Sequence, residues 1–600
     1  MNLRLFILAG FWLVLAPAAR AQWLTQSIDL KAGWNAVFLH VDTGHDTLNN
    51  LVGGDTQNPI LEVWRWNPPS VAQFVNNPAS PTPTVEWTSW VRANPASTLQ
   101  RLNGDTAYLV RVGTNAPTYT WRLKGKPVVP RHDWTVSGLN LIGFPTVTNT
   151  PPRFDAFLAN APELQSATPE IYHYPGGELG ATNPALLPAL LFRNTSVKRG
   201  QAYWVRSGTV FNRYFGPFEV VQSGVNGVDF RETLSSATFR LRNLTASNLT
   251  VTLRLTASET PPAGQTNIAG LPPLLLRGTL NPTNLTYGYT NVPVNTARIW
   301  TLAGRGLPGS EVEVVLGLNR AAVTNVPGTL LAGVLRFTDS LGHSQVDVPV
   351  TAKAAASSGL WIGGVAVTDV GHYLKSYERD GNNQPVTGTN GSYNVSAIDT
   401  SLGKAARPYP LRLIIHNPNT GNASLLQRVY YGVDPSTNIV VATRESSLNS
   451  AYLKDARRIS ATHLPWTETN APYAFNGRLR AQTNLTTTIL LPYDDQASNP
   501  FLHTYHPDHD NLKPGFKEIQ PQGAESYAIQ RSITLNVTPP GNDFSSLVAA
   551  GDTLTGTYIE NVSVKGLARA GGTNDTRQFE VRGAFSLSRV SEIPTLTVAP

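Results

Sequence analysis

The stretch "ATFRLRNLTASNLTVTLRLT" (Ala237–Thr256) sets the fold class of this chain. Phe239 and Leu241 alternate with polar residues before the turn, and Leu249, Val251, Leu253 and Leu255 alternate with them after it. A period of two puts every second side chain on one face, the pattern of a half-buried strand. The stretch therefore predicts two strands joined by a polar turn. "GVLRFTDSLGHSQVDVPVTA" (Gly333–Ala352) repeats the pattern as a hairpin with Asp339–Gly342 at its tip and a solvated His343 beside it.

The same grain runs through all 600 residues. Asn, Thr, Pro and Gly are abundant, only 14% of residues are charged, and short alternating runs recur between turn signals. That combination predicts an all-β, multidomain chain. Helical segments are few, and the best is Ser447–Ile459, with Leu448, Ala451, Tyr452, Ala456 and Ile459 on one face.

An internal repeat occupies the first third. "LKAGWNAVFLHV" (Leu30–Val41) matches "WTVSGLNLIGFPTV" (Trp134–Val147). Short helix-like pieces follow, then the aromatic pairs Trp64/Trp66 and Tyr172/Tyr174, then closing strands that set Tyr108 against Tyr203 and Arg111 against Arg206. Two β-rich repeats are expected at 27–128 and 131–221. This order resembles a "GWN…GYWV" repeat of secreted multidomain bacterial and archaeal surface proteins, and the resemblance implies an architectural unit rather than a reaction. The second copy has Leu139 where the first has Trp34. Leucine there is an acceptable core filler but would abolish a ligand platform.

Residues 225–352 resemble the Ig-like and fibronectin-like spacer domains of exported bacterial proteins. "AKAAASSG" at 352–359 reads as a flexible linker. Beyond it, residues 360–600 carry at least seven antiparallel strands, which suits either a closed or nearly closed barrel or a large sandwich. The "GLW" opening, the "LRLIIH…LLQRVY" hairpin and the "YHPDHDN" loop resemble a C-terminal domain of uncharacterised secreted proteins of verrucomicrobial and planctomycete type.

Residues 1–21 combine Arg4, an apolar run from Leu5 to Ala16 and a small-x-small close at Ala19-Arg20-Ala21, the form of a signal peptide. The run is too short for a permanent anchor of about 20 residues. A secreted or cell-surface location, with no membrane insertion after cleavage, is expected. The absence of cysteine excludes a lipoprotein anchor, a disulfide framework and thiolate chemistry. A net charge of +7 spread over this length, with Lys454, Arg457 and Arg458 as the tightest basic group, argues against a nucleic-acid partner.

Two groups of residues could carry a site. "FLHTYHPDHDNL" (Phe501–Leu512) gathers His503, His506 and His509 with Asp508 and Asp510. Pro507 suits a type I turn that brings His506 and His509 within reach of one ion. Zinc fits the histidines and calcium the acids. An ion-free turn, with Asp and His bonded to their own backbone, fits the same residues. The segment departs from the metallo-β-lactamase ligand pattern by one residue, and no histidine follows His509, so that assignment is rejected. The second group is aromatic. Trp64 and Trp66 share a strand face, and Trp87 and Trp90, among polar and proline-rich neighbours, are the pair expected at the surface. Such a row either stacks on sugars or fills the repeat core.

No H-E-x-x-H, G-x-S-x-G or phosphate-cradling motif occurs. The leading expectation is thus a secreted, non-catalytic modular β-protein with an adhesive, matrix or glycan-binding role, its partners polysaccharide or cell-envelope components. The rival is a metal-dependent or glycan-cleaving hydrolase with its site near the 503–510 histidine loop.

Overall fold

The computed structural model describes residues 22–597 apart from 68–79, 117, 132–137, 162–169, 181, 207–215, 223–226, 284, 324–325, 383, 385, 390–393, 400–408, 445, 447–453, 462–471, 482, 497, 503–518, 520–525, 539–550 and 566–576. The expected signal peptide at 1–21 lies outside the described residues. The chain is all-β and multidomain, as the alternating runs predict.

The first repeat supplies β1 (Leu24–Leu30), β2 (Gly33–Leu39), β3 (Val41–Asp42), β4 (Ile60–Trp66), β5 (Trp87–Val91), β6 (Thr106–Val112) and β7 (Tyr119–Pro127). They form a three-stranded sheet, β1-β7-β3, and a four-stranded sheet, β2-β6-β4-β5. The second supplies β8 (Asn140–Gly143), β9 (Glu170–His173), β10 (Ala185–Leu186) and β11 (Ala202–Arg206), ordered β10-β9-β11-β8.

Every residue of β2 is buried, which a half-exposed strand would not allow. The four-stranded sheet is covered on both sides. Val37, Leu39, Val63, Trp90 and Tyr108 pack with Trp121 and Leu123 of the three-stranded sheet. Trp34, Phe38, Trp64, Trp87 and Leu109 pack instead with Leu141, Phe144, Phe154 and Trp204 of the second copy. The two copies therefore share a core, and neither is a self-contained domain. Burying each such side chain contributes roughly 1.5–3 kcal/mol. The strand β2 also meets the second copy edge-on: the Trp34 N–H donates to the Gly177 carbonyl at 2.8 Å. A Cβ on Gly33, at φ 83°, would stand 2.2 Å from that oxygen, so only glycine fits.

Several bonds recur in both copies. The Tyr108 and Tyr203 hydroxyls accept from the backbone N–H groups of Asn103 and Lys198, five residues earlier in each case. Asn35 and Asn140 donate to the carbonyls of Gly33 and Gly138. Arg111 pairs with Glu62 at 2.9 Å, and Arg206 with Glu170 at 3.5 Å.

The middle unit is a two-sheet sandwich of β12 (Phe218–Val221), β13 (Val228–Asp229), β14 (Ser236–Asn243), β15 (Leu249–Ala257), β16 (Leu274–Asn281), β17 (Thr286–Asn291), β18 (Arg298–Leu302), β19 (Glu311–Leu318), β20 (Leu330–Asp339) and β21 (Gln345–Lys353). The sheets run β12-β14-β19-β16-β17 and β13-β21-β20-β15-β18. Because β12 pairs with β14, the unit begins before residue 225 and takes residues assigned above to the second repeat. The β20–β21 hairpin is as expected. The strands of Ala237–Thr256 are also present, but they do not pair with each other. β14 lies in one sheet and β15 in the other, so the polar turn crosses the sandwich as an arch and their apolar faces meet across the core. Asn243, fully buried, holds the crossing. Its amide donates to the carbonyls of Ser247 and Ala303 at 2.8 and 2.7 Å, and its oxygen accepts from the Thr245 N–H and hydroxyl.

The C-terminal unit contains β22 (Gly359–Tyr377), β23 (Val395–Asp399), β24 (Tyr409–Asn417), β25 (Ser424–Leu425), β26 (Arg428–Val433), β27 (Ile439–Ala442), β28 (Lys454–Ser460), β29 (Tyr473–Ala474), β30 (Asn484–Leu491), β31 (Ala528–Asn536), β32 (Thr553–Lys565) and β33 (Arg577–Ser591). One sheet runs β29-β25-β24-β22-β33-β32-β31-β30, with β23 attached to β22. Its ends meet where the Thr487 hydroxyl donates to the Ala474 carbonyl and the Asn476 N–H to the Thr486 carbonyl. The result is a nearly closed barrel filled by Trp361, Leu413, Phe475, Ile489, Ile533, Tyr558 and Phe585. The sheet β27-β26-β28 packs on its outside through Val429 and Val441 against Leu360 and Ile414. The expected helix at 447–459 is corrected here. Lys454–Ser460 is an edge strand paired with β26, and Arg457 and Arg458 are both exposed on it; 447–453 lie outside the described residues. Pairing with β26 overrides the helical spacing.

The units are fastened together. Arg199 of the second repeat donates to the Gln345 carbonyl and reaches Asp347, which Arg336 also holds at 2.7 Å. His343 is half-buried rather than solvated, and its carbonyl accepts from the Val147 N–H. The stretch 352–359 is pinned rather than flexible: the Ser357 carbonyl accepts from the Trp361 indole at 2.8 Å and the Asn417 amide at 2.7 Å.

Burial, followed by the Arg199 charge, holds the His40 imidazole well below its ordinary pKa, so it is neutral in the fold. The unfolded chain takes up that proton near pH 6.5 while the folded chain refuses it. Stability contributed by this residue is therefore full above pH 6.5 and falls as the pH drops toward the folded value. A His40→Leu variant is expected to lose stability less steeply between pH 6.5 and 5, by up to about 1.4 kcal/mol per pH unit. Denaturant midpoints of both proteins across that range check it, and parallel slopes would refute it.

Candidate arginine-lined cleft

The tryptophans come first. Trp64, Trp87 and Trp90 are all buried, so the expectation that Trp87 and Trp90 form a surface pair is corrected. Residues three apart on a strand point to opposite faces. In a sheet covered on both sides, Trp87 enters one core and Trp90 the other. Trp64 meets Trp87 edge-on at 6.4 Å and donates to Glu62, while Trp90 donates to Asn49 at 2.7 Å. Trp66 is partly buried against Trp204 at 5.0 Å. Trp34 and Leu139 fill the same core, which is why leucine is tolerated in the second copy.

His503, His506, Asp508, His509 and Asp510 lie outside the described residues. The chain that leads to them leaves β30 beyond Leu491 and returns at β31, and Asn499 ties the two ends by donating to the Pro492 and Tyr527 carbonyls at 2.7 Å each. Among the described residues, no group of three or more His, Cys, Asp or Glu is placed to hold a metal, and no helix is long and apolar enough to cross a membrane.

At the opposite mouth of the barrel lies a cavity of about 540 Å³. The sandwich closes one side with the short 3-10 turn Arg320–Ala322, and the connector contributes Ala355 and Ser357. The barrel contributes Asn476, Arg478, Arg480, Thr483, Asn484 and the starts of β30 and β32. Barrel mouths and unit junctions are where concave sites form.

Three arginines line this cavity. Arg320 is almost fully buried and donates to the carbonyls of Phe230, Leu234 and Lys353, the nearest at 2.6 Å. Burial lowers its pKa to about 10, against the raising charges of Asp552 and Glu232. Arg478 donates to the Pro418 carbonyl at 2.9 Å, and its pKa is lowered by burial and then by the like charge of Arg480. Arg480 is exposed. The Nε atoms of Arg320 and Arg478 are buried with no hydrogen-bond acceptor. Among the described residues no carboxylate forms an ion pair with any of the three. Asp552, whose charge reaches Arg320, is itself held by Arg589. The sequence reading did not single these residues out. Arg478 and Arg480 flank Leu479 in a visible Arg-x-Arg step, but nothing in the sequence brings Arg320 to them.

No family model matches the chain, and no curated protein matches it. Among solved structures it is similar to a multidomain protein including DUF1735 from Bacteroides ovatus, with 8% identity over 62% of this chain and 95% of that one and a TM-score of 0.12. The chain is a modular, multidomain β-protein.

Proposed function

We propose that this chain is an exported, non-catalytic β scaffold with an adhesive or matrix role at the cell surface, holding polysaccharide or envelope components. The observation that supports the reading is the way its units are joined. The two repeats share a core, Arg199 and Asp347 bind the second repeat to the sandwich, and the connector at Ser357 is locked to the barrel through Asn417. Fastening at each junction restricts the relative motion of the units, as a presenting element needs. The acids at these junctions and in the cores are engaged by arginines, as Glu62, Asp347 and Glu560 show.

Co-sedimentation tests it. The protein should pellet with insoluble cell-envelope polysaccharide and release no soluble reducing ends over many hours. Release of sugar in excess of the protein present would overturn the reading in favour of a hydrolase, and failure to pellet would remove the adhesive role.

A further inference from the structure

We infer that the cleft between the sandwich and the barrel mouth is a binding site for an acidic carbohydrate, its carboxylate or sulfate group seated on Arg478 and Arg480. Several partly buried arginines of the chain are matched with acids: Arg111 with Glu62, Arg242 with Glu311, Arg336 with Asp347, Arg531 with Glu560. The cleft instead gathers three arginines on one cavity, and none of them forms an ion pair with a carboxylate among the described residues. A purely structural arginine needs only the carbonyls that Arg320 has. It does not need Arg478 and Arg480 on the same cavity, where their like charges repel each other.

The neighbouring groups narrow the ligand. Guanidinium groups match carboxylate and sulfate oxygens in bidentate fashion and hold such anions more firmly than point charges do. Asn476, Asn484 and Thr483 supply neutral donors and acceptors suited to hydroxyls. Trp361, the one aromatic side chain of the cleft among the described residues, is sealed, with its indole N–H given to Ser357. Among the described residues no ring is thus offered for a nucleobase to stack on, which disfavours a nucleotide. The choice of sugar as the carrier of the anion rests on the matrix role proposed above; the preference for an anion does not.

Calorimetric titration of the full chain with trigalacturonate tests the site, with neutral galactotriose and inorganic sulfate as companion probes. Trigalacturonate should bind, galactotriose should not, and sulfate should bind at least tenfold more weakly than the trimer. The double variant Arg478→Gln/Arg480→Gln should lose at least tenfold in affinity. Arg457→Gln/Arg458→Gln, which removes the same charge from the exposed edge strand, should change it less than twofold. Arg480→Gln alone, at an exposed position, should lose a measurable part and covers the case in which the double variant fails to fold. Equal losses in the two double variants would show general attraction to a basic protein and overturn the proposal. So would equal binding of the neutral trimer, equal binding of sulfate alone, or no binding of trigalacturonate. Any of these failures leaves co-sedimentation of the native chain untouched, so the two readings fall separately.

Discussion

Asn243→Ala is expected to destabilise the sandwich by about 3–4 kcal/mol, a large part of the 5–15 kcal/mol that holds a domain together. Asn243 is fully buried and donates to the Ser247 and Ala303 carbonyls while accepting twice from Thr245. Alanine takes this partner from the Ala303 carbonyl and the Thr245 N–H, while the Ser247 carbonyl keeps the Thr245 hydroxyl, and each such loss costs about 1–3 kcal/mol rather than the smaller net value of an average hydrogen bond. Partial relaxation of the turn keeps the total below the simple sum. Asn248→Ala, at an exposed position in the same turn, should stay within about 0.5 kcal/mol. Hydrogen exchange of the amides in β14 and β15 reads the effect locally, which matters in a chain whose units need not unfold together. A loss below 1 kcal/mol for Asn243→Ala would mean that the arch is held by the packing of Phe239, Leu241 and Val251 alone.

That residue also marks the limit of what the sequence discloses. The alternation in Ala237–Thr256 shows two strands and their buried faces. Whether those strands pair or cross depends on Ala303 and Leu302, which are close to Asn243 only after folding. The fold class was legible because period-two runs and turn residues are local signals, whereas the choice between a barrel and a large sandwich turns on the closure of β29 onto β30. The shared core of the repeats was half legible. Gly33–Leu39 is nearly unbroken apolar sequence, the mark of a strand covered on both faces. Trp87 and Trp90 misled because polar neighbours suggest exposure, whereas a spacing of three on a doubly covered strand places one ring in each core. The basic pair Arg457/Arg458 misled in the same way, since adjacent exposed arginines suit an edge strand as well as a helix. The cleft was illegible for a further reason. Its charges come from the sandwich and the barrel, and only the pinned connector brings them together.

The barrel interior carries the second large effect: Glu560→Ala should cost about 3–5 kcal/mol. Register places Arg531 on β31 on the same inward face as Ile529 and Ile533, and Tyr558 and Glu560 on β32 on the same inward face as Leu554. The Glu560 side chain is 3% exposed and that of Arg531 11%, so the pair sits away from water. One Glu560 oxygen accepts from the Arg531 Nε and the other from the Tyr558 hydroxyl at 2.7 Å. Removing the carboxylate strands a desolvated guanidinium charge, and that penalty exceeds whatever the pair contributes over an apolar filler. The variant series separates the two quantities. If the loss is that of an unmatched buried charge, Arg531→Met/Glu560→Leu with Tyr558→Phe should recover most of it, ending within about 1–2 kcal/mol of the native protein. If the triad instead fixes the barrel register, the triple variant should stay as unstable as Glu560→Ala, and hydrogen exchange should show lost protection along β31 and β32. Chemical denaturation followed by exchange at those two strands distinguishes the outcomes. An unchanged midpoint for Glu560→Ala would mean that water reaches Arg531 in solution.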